Sequence, residues 1–254
     1  MKNLCFWAVC VSAAALASGQ TIDTGMLAKM RAEAFDRSQA AQVFDMLTVN
    51  IGPRLTASPA HKRAVEWTRN RLASYGLENV HLEPWRFGRG WELEKLTVEM
   101  TEPRYFPLIG YADAWSPSTN GEISGAPVFL GGKTPAEVEK IAAQLKGAIV
   151  MTAPIETNFV RQDRPQPSEI GYVPNSGAYA TGVGRPRGSI FARGPAQEIA
   201  KILGDAGAGV LLKPSRGEDG TVFVTGRDLG PGAAPSITLS AENYNMIARM
   251  IEQH

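Results

Sequence analysis

From residue 126 to its last helix the chain alternates short apolar runs with amphipathic stretches, and this rhythm constrains the fold more than any single residue does. Residues 126–130 read as a strand. Thr134-Pro135-Ala136-Glu137 then opens a helix, because Thr and Glu three apart form a reciprocal capping box and Pro at the first helical position forgoes no intrahelical bond. Residues 148–151 form a buried strand run. The Gly/Pro-rich stretch over 154–188 is too long for a simple connector and reads as a lid or flap. Ile199, Ile202, Leu203 and Ala206 mark one face of a helix over 195–206, after which Gly207-Ala208-Gly209 gives a stop that feeds a strand at 210–212. Residues 222–225 read as a further strand. Residues 235–240 lead into a final helix with the stripe Tyr244, Ile247, Ala248, Ile251.

Upstream lie two amphipathic helices. After a polar, Ala-rich lead over 21–37 that reads as a loose helix, Ser38 is placed to cap a helix whose stripe is Ala40, Val43, Phe44 and Leu47, ended by Gly52-Pro53. Ser58-Pro59 starts the second, with Ala64, Val65, Thr68 and Leu72 as its buried side. Gly76 serves as its left-handed stop, with Leu77 folding back. Residues 80–87 read as an edge or bulged strand, given Pro84. Leu96, Val98 and Met100 alternate with polar residues as a second strand, pairing with the first across Gly88-Arg89-Gly90. The turn-rich stretch 114–121 marks a domain boundary.

With 254 residues, 44% hydrophobic and 8% aromatic, the chain suits one large or two modest globular domains. Met1-Lys2-Asn3, an apolar run over 4–16 and the small-x-small Ala15-Leu16-Ala17 read as a signal peptide cut near Ala17, too short to span a bilayer. The expected location is secreted or periplasmic, with no membrane span. Cys5 and Cys10 both lie in that leader, so the mature chain has no thiol for a disulfide, a zinc ligand or a nucleophile, and its stability must come from its core. Without Lys2, 25 basic residues face 25 acidic ones, which argues against a nucleic-acid partner, normally marked by a basic excess or stripe.

The run Ile51-Gly52-Pro53-Arg54-Leu55-Thr56-Ala57-Ser58-Pro59-Ala60-His61, continuing through Val65-Glu66-Trp67-Thr68, resembles the start of the zinc exopeptidases of peptidase family M28, on its carboxypeptidase Q-like branch. Glu83-Pro84-Trp85, Gly88-Arg89-Gly90-Trp91-Glu92 and Pro107-Leu108-Ile109-Gly110-Tyr111 extend the likeness. Ala57 stands where that pattern has Gly. The order of elements after residue 121 resembles a protease-associated (PA) domain, which in this branch is inserted into the catalytic fold. The resemblance implies an α/β protein: an incomplete N-terminal portion of a mixed-sheet zinc exopeptidase fold plus an inserted small PA-type α/β domain. The implied layout is a signal peptide (1–17), a lead (18–37), the N-terminal portion of the catalytic domain (38–120), the PA domain (121–240) and a helix returning to the catalytic domain (241–254).

The family's two zinc ions activate a water for hydrolysis of terminal peptide bonds, and its ligands come from a block after the PA insert. This chain holds only His61, His81 and His254. His81-Leu82-Glu83 presents an imidazole and a carboxylate two apart on a strand, but without a second ligand cluster it reads as a polar edge. His61 reads as a surface or packing residue. The chain is therefore expected to bind no catalytic zinc, and catalytic and metal residues are assigned to none of its positions. Neither a Gly-x-Ser-x-Gly elbow nor a His-Glu-x-x-His helix is present, and Gly182-Val183-Gly184-Arg185-Pro186 reads as loop. Trp115, Tyr172 and Tyr179 are loop aromatics placed either to wall a peptide cleft or to anchor loops on the core. Two functions follow: the N-terminal part of a secreted zinc exopeptidase acting on peptides, or a free-standing exported PA-domain protein with a non-catalytic binding role.

Overall fold

The computed structural model describes residues 23–159 and 194–253. The leader, Tyr172, Tyr179, His254 and most of the long Gly/Pro-rich stretch lie outside these residues. The chain divides into two units, one running to Arg54 and resuming over Ala60–Glu83, the other formed by Leu55–Pro59 with Pro84–His254.

The first unit is helical. Asp23 caps α1 (Thr24–Arg31) by accepting the Met26 amide at 2.9 Å, and the helix runs on through a π turn over Ala32–Asp36. Helix α2 (Ala40–Asp45) continues as a π turn over Met46–Asn50 before Gly52 turns left-handed at φ +76°. Its cap position is Gln39 and not Ser38, whose hydroxyl only accepts the Ala40 amide at 3.4 Å. Of the expected stripe, Val43 and Leu47 are half-buried, while Ala40 and Phe44 are exposed. Helix α3 (Pro59–Ser74) starts on Pro59 and buries Ala60 and Ala64, but Thr68 and Leu72 on the expected inner side are exposed. Gly76 (φ +84°) ends it as expected: the Leu77 amide reaches back to the Leu72 carbonyl at 3.4 Å, the bond pattern that left-handed Gly permits. The Arg71 guanidinium ties α3 to α2 by donating to Gln39 Oε1 and packs 5.1 Å over the Tyr75 ring.

The second unit is a three-layer α/β sandwich on a mixed five-stranded sheet. Strands β1 (Glu99–Met100) and β2 (Phe106–Pro107) form a small antiparallel pair. The main sheet contains β3 (Gly110–Ala112), β4 (Val128–Phe129), β5 (Ile149–Met151), β6 (Val210–Pro214) and β7 (Ser236–Leu239), in the order β3-β7-β6-β5-β4. All neighbours are parallel except β3, which runs antiparallel to β7 with Tyr111 opposite Thr238. Helix α4 (Pro135–Ile141, extended by a 3₁₀ turn over Ala142–Leu145) joins β4 to β5, α5 (Pro195–Asp205) precedes β6, and α6 (Ala241–Glu252) follows β7.

Period-two alternation assigns the strand residues to opposite faces. Val150 and Leu211 point to the layer of α4 and α5, where Val138, Leu145, Ile199 and Leu203 cover them. Met151, Val210, Leu212, Ile237 and Leu239 point to α6, which answers with Tyr244, Ile247 and Ala248. Leu96, Val98 and Leu108 pack against this second core. Burying each large aliphatic side chain is worth about 1.5–3 kcal/mol, and these two cores are the main apolar stabilisation of this unit. The capping box forms as expected, with the Thr134 amide donating to Glu137 Oε2 at 2.8 Å and the Glu137 amide to Thr134 Oγ1 at 3.4 Å.

Two expected strands are absent. Residues 80–87 form none, because residues 81–90 are exposed throughout and Pro84 lacks a ladder donor. The strand that closes at Met100 pairs forward with Phe106–Pro107 instead of back across Gly88-Arg89-Gly90. Residues 222–225 form no strand; the adjacent Gly226 bridges to Ala114, and the Ala114 amide donates to the Thr225 carbonyl at 2.9 Å. Gly226 at φ +151° breaks the run there, and a Cβ on it would sit 2.3 Å from the Ala114 carbonyl oxygen.

Ala57 adopts φ +65°, a left-handed conformation that costs an L residue about 1–2 kcal/mol. Glycine would remove that cost and return about 0.5–1 kcal/mol as extra chain entropy. Ala57→Gly is therefore expected to stabilise the protein by about 0.5–1 kcal/mol, seen as a higher urea midpoint. A lowered midpoint would rule out strain at this turn.

Candidate functional site

Trp115 is the one expected cleft residue among those described, and the second unit builds a defined surround for it. The chain leaves β3 through Asp113, whose backbone amide donates to the Ser236 carbonyl at 2.9 Å, and turns as the Ser116 amide closes on the Asp113 carbonyl at 3.0 Å. Within that turn Trp115 takes φ +62°. For a bulky residue this is an outlier that persists only where its surroundings enforce it.

Those surroundings begin in the Gly88-Arg89-Gly90 segment, which read as a turn between two strands. Trp115 Nε1 donates to the Arg89 carbonyl at 2.9 Å, and Arg89 Nη2 donates back to the Trp115 carbonyl at 3.1 Å. The Arg89 guanidinium also forks onto Asp228, with both N–H···O distances 2.9 Å. That guanidinium and the Gly230 amide hold the Asp228 carboxyl below its ordinary range, and Asp228 raises the Arg89 pKa in turn. Trp91 Nε1 donates to the Ser116 carbonyl at 2.9 Å.

Three rings continue from this clamp. Phe87 lies 6.2 Å from Trp115, and Trp85 meets Phe87 edge-on at 5.5 Å and 81°. Trp85 and Phe87, two residues apart in an extended segment, share a face and are 69% and 44% exposed. The result is a neutral aromatic shelf, held in place by polar bonds and open to solvent. Trp115 thus anchors its loop while its ring stays half-buried at the surface. Sequence reasoning singled out Trp115 but missed Arg89 and Asp228 as its clamp, because 139 positions separate the pair. The i, i+2 spacing of Trp85 and Phe87 was the available signal for the shelf.

Beneath the turn lies a buried polar cluster. Asp113, 6% exposed, accepts from Ser236 Oγ at 2.5 Å and Thr238 Oγ1 at 2.7 Å, and it pairs with Lys213 Nζ at 2.8 Å. Lys213 also donates to Thr225 Oγ1 at 2.9 Å. The cluster welds β3, β6 and β7 below Trp115.

In the first unit His81 Nδ1 meets the Asn79 carbonyl at 2.7 Å and Nε2 lies 3.3 Å from Glu83 Oε1, so the two side chains of His-x-Glu do meet, in solvent. His61 is half-buried in the first turn of α3. Among the described residues no group of three or more His, Cys, Asp or Glu is placed to hold a metal ion. These residues do not fit a two-zinc centre. No helix among them is long and apolar enough to cross a membrane.

No family model matches the chain. A segment of 59 residues, 23% of this chain, is 42% identical to carboxypeptidase Q of Bos taurus and covers 12% of that protein. Over 91% of its length the chain matches the crystal structure of a peptidase M28 precursor from Shewanella amazonensis SB2B with a TM-score of 0.52 at 22% identity, covering 48% of that chain. It also matches BSAP, a zinc aminopeptidase from Bacillus subtilis, over 83% of this chain and 41% of that one, with a TM-score of 0.43 at 16% identity. The chain thus spans about half the length of the solved structures it matches. Its mixed α/β architecture on a five-stranded sheet is an M28 peptidase-like fold.

Proposed function

We propose that this chain is the N-terminal portion of a secreted co-catalytic zinc exopeptidase of the aminopeptidase or dipeptidase type, which hydrolyses terminal peptide bonds. The observation that carries the reading is the 42% identity to carboxypeptidase Q over 59 residues, supported by the likeness in fold. In this reading residues 121–240 are a PA-type insert, and the metal ligands belong to polypeptide outside this chain. Trp115, with Tyr172 and Tyr179, walls the peptide cleft. What favours that role for Trp115 is its clamped, strained and partly exposed position, since side chains that are fixed before the ligand arrives bind at lower entropic cost.

The test compares two secreted products on short peptides: the 254-residue chain, and the product of the reading frame extended downstream, where the family likeness expects a His-x-Asp within a few tens of codons. The extended product should release terminal amino acids, lose this activity to a chelator and regain it with zinc, while the short chain does none of this. Zinc-dependent release by the short chain would overturn the placement of the metal site, and inactivity of the extended product would overturn the peptidase reading. The closed cores of the second unit support the alternative of a free-standing binding module, which expects neither product to act on peptides.

A further inference from the structure

We infer that Asn120 is a site of spontaneous covalent modification, converting to aspartate and isoaspartate in the folded protein. Asn120-Gly121 is the one Asn-Gly pair in the sequence. In this chemistry the Gly121 backbone nitrogen attacks Cγ of Asn120. A C–N bond forms, the Cγ–Nδ2 bond breaks, and the proton from the attacking amide leaves with the side-chain nitrogen as ammonia. Solvent water then opens the cyclic imide at either carbonyl, giving aspartate or the isomer with one more backbone methylene. The requirements are a nitrogen free of other bonds, no Cβ to obstruct the approach, and a backbone free to rotate.

The loop at 120–121 meets all three. Both residues are exposed. No hydrogen bond holds the Gly121 amide among the described residues. Gly121 sits at φ +92°, with open space where a Cβ would stand. The other Asx-Gly pair, Asp219-Gly220, provides the contrast, because its attacking amide is committed to Glu242 Oε1 at 3.2 Å. Elsewhere Asn50 and Asn79 precede the β-branched Ile51 and Val80, which hinder attack. Asn243 and Asn245 are buried in α6, where helical bonds immobilise the backbone.

The modification adds one negative charge beside Glu122, in the segment that joins the Trp115 turn to β4. At a given pH and temperature its rate is set by the loop, so residue 120 records the age of the protein without any enzyme.

The purified 254-residue chain is aged at mildly alkaline pH, natively and in urea, and digested with trypsin. The peptide spanning 105–133 contains a single asparagine, Asn120. The expected result is the mass gain of amide-to-acid conversion in that peptide ahead of every other asparagine-containing peptide. Labelling by an isoaspartyl methyltransferase should appear in the same peptide, at native and urea rates that agree closely. Asn120→Ser should lose both signals, and Gly121→Ala should slow them. Strong protection in the native state, or faster conversion at another asparagine or at Asp219, would overturn the inference. Because no peptide substrate enters this readout, its failure is separable from failure of the peptidase reading.

Discussion

Tyr244→Ala should cost the protein about 4 kcal/mol of folding stability, the loss typical of truncating a large buried aromatic side chain. Tyr244 is fully buried in the core between α6 and the sheet. Its hydroxyl accepts from the Ala153 amide at 3.0 Å and donates to the Ala153 carbonyl at 2.6 Å. Burial pushes the phenol pKa well above its ordinary value, partly opposed by the bond to Ala153, so the group stays protonated and able to donate. Tyr244→Phe keeps the ring but strands two backbone groups, and it should cost about 1–3 kcal/mol. Urea unfolding read by far-UV circular dichroism separates the two variants. Near-equal losses would mean that the ring contributes little and the packing account of this core is wrong. Asn243 and Asn245 flank the same residue and hold the Ile109 amide at 2.7 Å and the Glu156 amide at 2.9 Å, so a single helix fastens two distant segments, one at Ile109 and one over 153–156.

Asp113→Ala should cost about 3 kcal/mol, at the lower end for breaking a buried ion pair, because Lys213 is 34% exposed and can turn toward water. The two hydroxyls have less freedom. Ser236 and Thr238 both lose their acceptor where β3 meets β7. Replacing both members of the ion pair, as in Asp113→Leu with Lys213→Met, should recover part of the loss, since no unpaired charge then remains beneath the turn. A double variant no more stable than Asp113→Ala would show that the strands depend on the polar bonds themselves and not on avoiding a stranded charge.

The features legible in the sequence were those whose partners lie within a few residues. The Thr134–Glu137 box, the Gly76 stop and the stripes of α5 and α6 are all encoded locally, and the structure forms each of them. Residues 80–87 carry strand-forming side chains, yet their backbone finds no neighbouring strand among the described residues, and extended propensity alone cannot supply one. The same limit governs the candidate site. Trp115 was visible as a loop aromatic, but its clamp joins Arg89 to Asp228, and the cluster below joins Asp113 to residues 123 and 125 positions away. Tyr172 and Tyr179 lie outside the described residues.

The main sheet ends in β4, two residues long, on one side and β3, three residues long, on the other. A second polypeptide seeking to add a strand would find only two or three consecutive backbone groups on which to build, and such brevity is one of the ways proteins discourage edge-to-edge growth. That architecture permits crowding without templating its own fibres.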